Sequence, residues 1–158
     1  LLKGNTCGLK GTSCADQLTK ALAEKMQAVT GADLFEIIPD APYTKADINY
    51  RNPLSRCNKE FFGKKSIPVS VLPENFSEYD KVLIGFPIWY YAAPLVINDF
   101  CKALDFKGKK VALFATSGGS NTGKTIAKLQ PYVNETILDA KLFNSYTEEE
   151  LKNFVENL

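Results

Sequence analysis

Residues 81–91 read KVLIGFPIWYY. Val82, Leu83, Ile84 and Phe86 form an apolar run without polar alternation, set between the charged pair Asp80–Lys81 and Pro87. That is the pattern of a strand buried on both faces, as strands are inside a parallel sheet covered by helices. Beyond it stand Ile88, Trp89, Tyr90 and Tyr91, then Ala92-Ala93-Pro94. In the following LVINDFCKAL, Leu95, Ile97 or Val96, Phe100, Cys101 and Leu104 recur at helical spacing. The aromatic residues therefore fall on a strand-to-helix turn. Turns at the carboxyl ends of the strands are where open α/β sheets bind ligands, and Trp and Tyr rings there offer flat faces to a planar group. The competing reading is that one of these rings fills the core or a contact between subunits.

Working outward, the pattern repeats. KKVALFA at 109–115 is a second doubly buried strand, closed by Thr116-Ser117-Gly118-Gly119-Ser120-Asn121-Thr122-Gly123 and followed by a helix carrying Ile126 and Leu129 up to Pro131. Upstream, Leu18, Leu22, Met26 and Val29 are expected on one face of a helix ending near Thr30-Gly31, and Asp33–Ile38 reads as a strand closed by Pro39. Lys141-Leu142-Phe143 can form a last strand. Thr147, followed by Glu148 to Glu150, caps a final helix through Leu151, Phe154, Val155 and Leu158. Between 41 and 79 no period is sustained. A connection of that length is expected to be functional or to hide short helices. Strands alternating with helices predict a parallel sheet covered on both faces.

The chain of 158 residues is the length of one domain, expected to span 1–158 with an atypical stretch at 1–12. Nineteen basic and eighteen acidic residues leave a formal charge of +1, with neither sign in a long block, so nucleic acid is not an expected partner. No apolar run approaches the ~20 residues of a membrane span, and the amino terminus lacks the pattern of a secretory signal. The cytoplasm is the expected location and no membrane partner is expected. With no histidine and no C-x-x-C pair among Cys7, Cys14, Cys57 and Cys101, neither a zinc site nor a histidine-dependent triad is expected. No catalytic side chain and no metal ligand is assigned.

Residues 1–13 carry Gly4, Gly8 and Gly11 among Asn5, Thr6, Thr12 and Ser13, a loop composition. Ser13 and Asp16 have the spacing of a capping box, so a glycine-rich loop is expected to feed a helix amino terminus, where backbone N–H groups favour an anion such as phosphate. A second phosphate candidate is GGSNTGKT at 118–125, which satisfies G-x-x-x-x-G-K-[ST] between a strand and a helix. In that reading Lys124 reaches phosphates and Thr125 holds Mg²⁺. Only Thr136-Ile137-Leu138-Asp139 follows as a possible acidic strand. The alternative is that this loop brings backbone N–H groups close to the polar edge of a heterocycle.

GFPIWYYAAP, followed by FATSGGSNTGKT and preceded by TGADLFEI, with NSYTEEELKNFVENL near the end, resembles the flavodoxin family, in particular small bacterial flavodoxin-like proteins with a PIWW-type loop. The resemblance covers about Thr19 to Leu158. It implies a three-layer sandwich around a five-stranded parallel sheet of order 2-1-3-4-5, with FMN at the carboxyl ends of its central strands. Pro87, Ile88, Trp89, Tyr90 and Tyr91 match the loop that packs on the isoalloxazine. Thr116, Ser117, Gly118, Gly119 and Asn121 match the loop along its edge. The family's apolar first strand and F-S-x-x-G-N-T phosphate loop have no clear counterpart. Gly4-Asn5-Thr6 keeps the letters G-N-T and Gly11-Thr12-Ser13 sits at the helix start, so Thr6, Gly11, Thr12 and Ser13 are the phosphate candidates. Strand 1 is expected to be absent, supplied by residues before Leu1, or replaced by another segment.

The implied activity is electron transfer or FMN-dependent reduction, with the flavin carrying the electrons and a redox protein or small acceptor as partner. A nearly neutral chain is less suited than an acidic one to charge-steered docking on basic partners, which favours a reductase or an unselective carrier. Tyr90 or Tyr91 could donate a hydrogen bond to a reducible substrate. The alternatives are a flavodoxin-fold interaction protein without flavin and a P-loop nucleotide-binding protein.

Overall fold

The computed structural model describes the backbone of residues 2–4, 14–63 and 65–158, with side chains from Gln17 onward except at position 64. The elements in chain order are β1 (Leu2–Gly4), α1 (Cys14–Thr30), β2 (Phe35–Ile37), α2 (Arg56–Gly63), β3 (Lys81–Pro87), α3 (Leu95–Lys102), β4 (Lys110–Thr116), α4 (Thr125–Leu129), β5 (Ile137–Leu142) and α5 (Glu148–Glu156). The strands form one sheet of order β2-β1-β3-β4-β5, parallel at every pairing.

The two apolar runs partition by alternation. In β3 and β4, Val82, Ile84, Phe86, Val111, Leu113 and Ala115 face the layer that holds Val96, Ile97, Phe100 and Leu129. Leu83, Ala112 and Phe114 face the opposite layer, with Leu22, Ala23 and Met26 of α1 and Leu151 and Phe154 of α5. Both strands show one exposed lysine followed by six buried residues, which explains why no polar alternation interrupts either run. α5 begins where the sequence indicates: Thr147 accepts from the Glu150 N–H at 3.2 Å, and the Glu150 carboxylate accepts from the Thr147 N–H at 2.8 Å.

Of the three expectations for strand 1, the structure bears out replacement by another segment, and it corrects the reading of residues 2–4 as loop. Leu2–Gly4, within a stretch read as loop, lies between β2 and β3, pairing Leu2 with Phe35 and Ile84, and Gly4 with Ile37. A segment takes the strand's place. The position selects for backbone rather than side chains, because without it the facing edges of β2 and β3 would leave buried N–H and C=O groups unpaired. β2 is shorter than the expected Asp33–Ile38. The last strand starts earlier than Lys141, at Ile137, and is half-exposed. It pairs Val111 with Ile137 and Ala112 with Asp139, so Leu138 bulges outward and is exposed, which erases the apolar pattern there. Leu18 is 53% exposed; the buried face of α1 is Thr19, Leu22, Ala23 and Met26. The 41–79 segment holds α2 and a 3₁₀ turn at Phe76–Glu78. No described helix is long and apolar enough to cross a membrane.

Gly85 is required by its neighbour. It is the register partner of Phe114, whose ring lies over it, and a Cβ at Gly85 would stand 2.0 Å from Phe114 Cζ. Phe114 is fully buried and cannot swing out. Gly85→Ala is therefore expected to destabilise by about 1–3 kcal/mol, the range for overpacking a close-packed core. Urea denaturation checks this, and Phe114→Leu in the same chain is expected to recover part of the loss.

Candidate cofactor site

The carboxyl ends of β3 and β4 are level: Pro87 and Thr116 are register partners, and the Ile88 N–H donates to the Thr116 carbonyl at 2.8 Å. This bond carries the β3–β4 ladder one step past the strands and fixes the two sequence-predicted loops side by side. Thr116 is buried, and its Oγ1 lies 2.5 Å from Oγ1 of Thr19 on α1. The start of α1 is thereby tied to the same sheet edge. Thr6, Gly11, Thr12 and Ser13 lie outside the described residues.

After Ile88 the chain reverses in a tight turn. The Trp89 N–H donates to the Ala92 carbonyl at 2.9 Å and the Ala92 N–H to the Trp89 carbonyl at 3.0 Å. Tyr90 and Tyr91 occupy the two central positions with φ of 49° and 61°. Left-handed φ at both centres is the signature of a type I′ turn, which favours Asn and Gly. For other residues that conformation costs roughly 1–2 kcal/mol each. Such strain persists where surrounding structure over-determines it.

The surroundings differ for each ring. Trp89 is half-buried, edge-on to buried Tyr43 with centroids 5.7 Å apart. The Tyr43 hydroxyl donates to the Glu60 carboxylate, which also pairs with Arg56, and the Arg56 guanidinium lies 4.2 Å over the Tyr43 ring. Tyr90 turns toward α2, stacked on Phe61 at 4.3 Å, its hydroxyl donating to the Asn58 side-chain carbonyl. Asn58 is held in turn by the Tyr50 and Asn52 carbonyls, each 2.9 Å from its Nδ2. Tyr91 is 63% exposed. The 41–79 segment thus backs the aromatic turn. Sequence reading missed Tyr43, Arg56, Asn58 and Glu60; the only available signal was the length of a connection without periodicity.

The partner loop is built around Ser117 Oγ, which accepts from the N–H of Gly119 at 3.2 Å and of Ser120 at 2.7 Å. Asn144, also missed, accepts the Ser117 N–H at 2.9 Å and anchors the loop to the segment before α5. Among the described residues, the N–H groups of Gly118 and Asn121 meet no acceptor. A Cβ at Gly118 or Gly119 would meet nothing within 4 Å, so the space above this backbone is open. At Gly123, with φ of 47°, a Cβ would lie 3.2 Å from Asn121 Oδ1 and 3.4 Å from the Tyr91 carbonyl oxygen. Glycine there lets the loop close on Tyr91.

The structure disfavours the P-loop reading of Gly118–Thr125. Thr125 is buried and its hydroxyl donates back to the Thr122 carbonyl. The helix behind it, α4, has five residues. Three open clefts lie away from this edge: one of about 560 Å³ between α2, α3 and α4, one of about 470 Å³ between β5 and α5, and one of about 370 Å³ that includes Asp33, Tyr79 and Lys81 near the strands' amino ends.

Burial first, then the nearby Cys57 thiol, pushes the Tyr90 phenol up to about 12. Its folded-state value lies above the ordinary 10.0, so its contribution to stability is complete below about pH 10 and is lost as pH rises toward 12. Tyr90→Phe is expected to make the fall in unfolding free energy across that window less steep. An equal fall in both proteins would contradict the partly buried placement of the hydroxyl. For the turn itself, Tyr91→Gly is expected to stabilise the chain by about 0.5–1 kcal/mol, since relief of strain outweighs the little packing an exposed ring loses. Thermal unfolding of the two proteins checks this.

A family profile described as Flavodoxin matches residues 10–158. Crystal structures of candidate flavoproteins are similar over nearly the whole chain. One, from Bacteroides eggerthii DSM 20697, is 34% identical, with 99% of this chain and 96% of that one covered and a TM-score of 0.83. Another, from Bacteroides uniformis ATCC 8492, is 31% identical over the same shares, with a TM-score of 0.81. A flavoprotein from Lactobacillus acidophilus NCFM, crystallised with FMN, shares the fold at 17% identity, with 98% and 95% covered and a TM-score of 0.66. A search of curated proteins found no match.

Proposed function

The chain belongs to the flavodoxin family, and on that premise we propose that it binds FMN between the 87–91 and 116–121 loops and serves in electron transfer or FMN-dependent reduction. The observation that carries the reading is the junction of the loops: the Ile88–Thr116 bond sets them side by side, and Tyr91 stands exposed beside Asn121 and Gly123. The residues present fit the group. Tyr91 offers a ring to a planar heterocycle, Trp89 and Ile88 supply a half-buried apolar wall, and Pro87 ends the strand beneath them. The N–H groups of Gly118 and Asn121 are donors for a polar ring edge, and the open space above Gly118 and Gly119 lets that edge approach the backbone. FMN itself supplies one- and two-electron redox chemistry when bound.

The protein's own part is to hold, orient and tune. Tyr90 anchors the turn to α2 rather than facing the ligand, its hydroxyl being taken by Asn58. Tyr91 is then the tyrosine able to donate a hydrogen bond to a reducible substrate. A location in the cytoplasm, one domain, and a redox protein or small electron acceptor as partner complete the reading; the near-neutral charge favours an acceptor chosen loosely over one steered by charge. Support for FMN in particular comes from the Lactobacillus acidophilus protein of the same fold, which was crystallised with it.

Flavin titration followed by fluorescence quenching tests the proposal. The parent chain is expected to quench FMN fluorescence to a one-to-one end point. Trp89→Ala and Tyr91→Ala are each expected to weaken affinity about three- to tenfold, corresponding to the roughly 0.5–1.5 kcal/mol of an aromatic contact, and Lys124→Ala to leave it unchanged. Unaltered affinity in both aromatic variants would remove the loops from the site.

A further inference from the structure

We propose that the groove between α2, α3 and α4 is a second binding site, for a planar aromatic carboxylate, independent of the flavin reading. It has a volume of about 560 Å³, within the range of small-molecule sites. Its apolar surface is mainly aromatic: besides Leu95, Phe61 and Phe62 from α2 face it on one side and Tyr132 on the other, and Phe62 is 73% exposed. Phe62 is not a lone exposed side chain: it stands edge-on to Phe61 with ring centroids 5.2 Å apart, so the groove presents a paired aromatic surface.

The charge of the groove favours an anionic ligand. Among the described residues, Lys65, Lys102 and Lys128 line it against one carboxylate, Asp99, a formal +2 in a chain whose total is +1. Asp99 is already committed, accepting the Ile67 N–H at 2.5 Å and pairing with Lys102 at 3.3 Å, its side chain only 15% exposed. The lysines are held over the groove's own rings, Lys102 at 4.7 Å from the Tyr132 centroid and Lys128 at 5.5 Å from that of Phe61. Cation–π placement of this kind sets an ammonium at the rim of an aromatic floor while its outer N–H groups stay available. A flat apolar body with a carboxylate at one edge satisfies both features. Phe61 also stacks on Tyr90, so the occupant would lie one ring away from the strained turn.

Isothermal titration calorimetry with 2-naphthoate, on the chain without added flavin, tests the site. Saturable binding of one 2-naphthoate per chain is expected, with the uncharged 2-naphthamide at least tenfold weaker. The K102Q/K128Q protein is expected to bind 2-naphthoate at least tenfold more weakly than the parent, whereas K152Q, on the exposed face of α5, is expected to match the parent. No saturation, equal affinity for acid and amide, or equal affinity in K102Q/K128Q would overturn the proposal. The comparison of acid with amide needs only the parent protein. Loss of FMN binding would leave all of these outcomes intact, so the two readings fail separately.

Discussion

The in-register pairing of Lys81–Pro87 with Lys110–Thr116 is the constraint on which the rest of the structure depends. Both strands are buried on both faces after their first residue, so each must be matched by helices on either side and by a strand on its free edge. The helices supply two separate apolar clusters, one around α3 and α4 and one around α1 and α5. The free edge of β3 is met by Leu2–Gly4. Because the pairing ends level at Pro87 and Thr116, the loops that leave the strands begin at the same height and are joined at once by the Ile88–Thr116 hydrogen bond. The placement of the candidate surface thus follows from strand registry.

That surface is kept in an unfavourable conformation. Tyr90 and Tyr91 both hold left-handed backbone angles in a turn that favours Asn and Gly. The surroundings over-determine it: Tyr90 is fastened to Asn58 and Phe61, Trp89 rests on Tyr43, and Tyr43 is fixed by Glu60 beneath Arg56. The long segment between β2 and β3 therefore acts as a buttress, supplying the partners that hold one bulky ring outward and two inward. Placing Tyr91 in solvent has no structural return of its own, which is the physical argument for a ligand against it.

Much of this was legible in the sequence because it rests on local patterns. The doubly buried strands at 81–87 and 110–116, the α5 capping box at Thr147 and the two loops at the sheet edge each carry a periodicity or a turn signal. What could not be read depends on tertiary partners. Leu2–Gly4 is a strand because two edges require one, not because its composition demands it. The bulge at Leu138 inverts the apolar pattern of β5, and Thr19, a polar residue, occupies the inward face of α1 where Leu18 was expected. At the site, the aromatic run was visible but the division of labour within it was not. Which ring faces out is decided by Asn58, Phe61 and Tyr43, residues distant in sequence that carry no motif. The letters of a P-loop at 118–125 likewise carry no sign of the local contact in which the Thr125 hydroxyl is claimed by the Thr122 carbonyl.

The central claim is that the two loops form one flavin seat, and a crystal structure of the chain grown with FMN tests it most directly. The isoalloxazine is expected in van der Waals contact with the Tyr91 ring and the Trp89–Ile88 wall, with its polar edge on the N–H groups of Gly118 and Asn121. Flavin found against Phe62 and Tyr132 instead, or a seat between the loops left empty at saturating FMN, would contradict it.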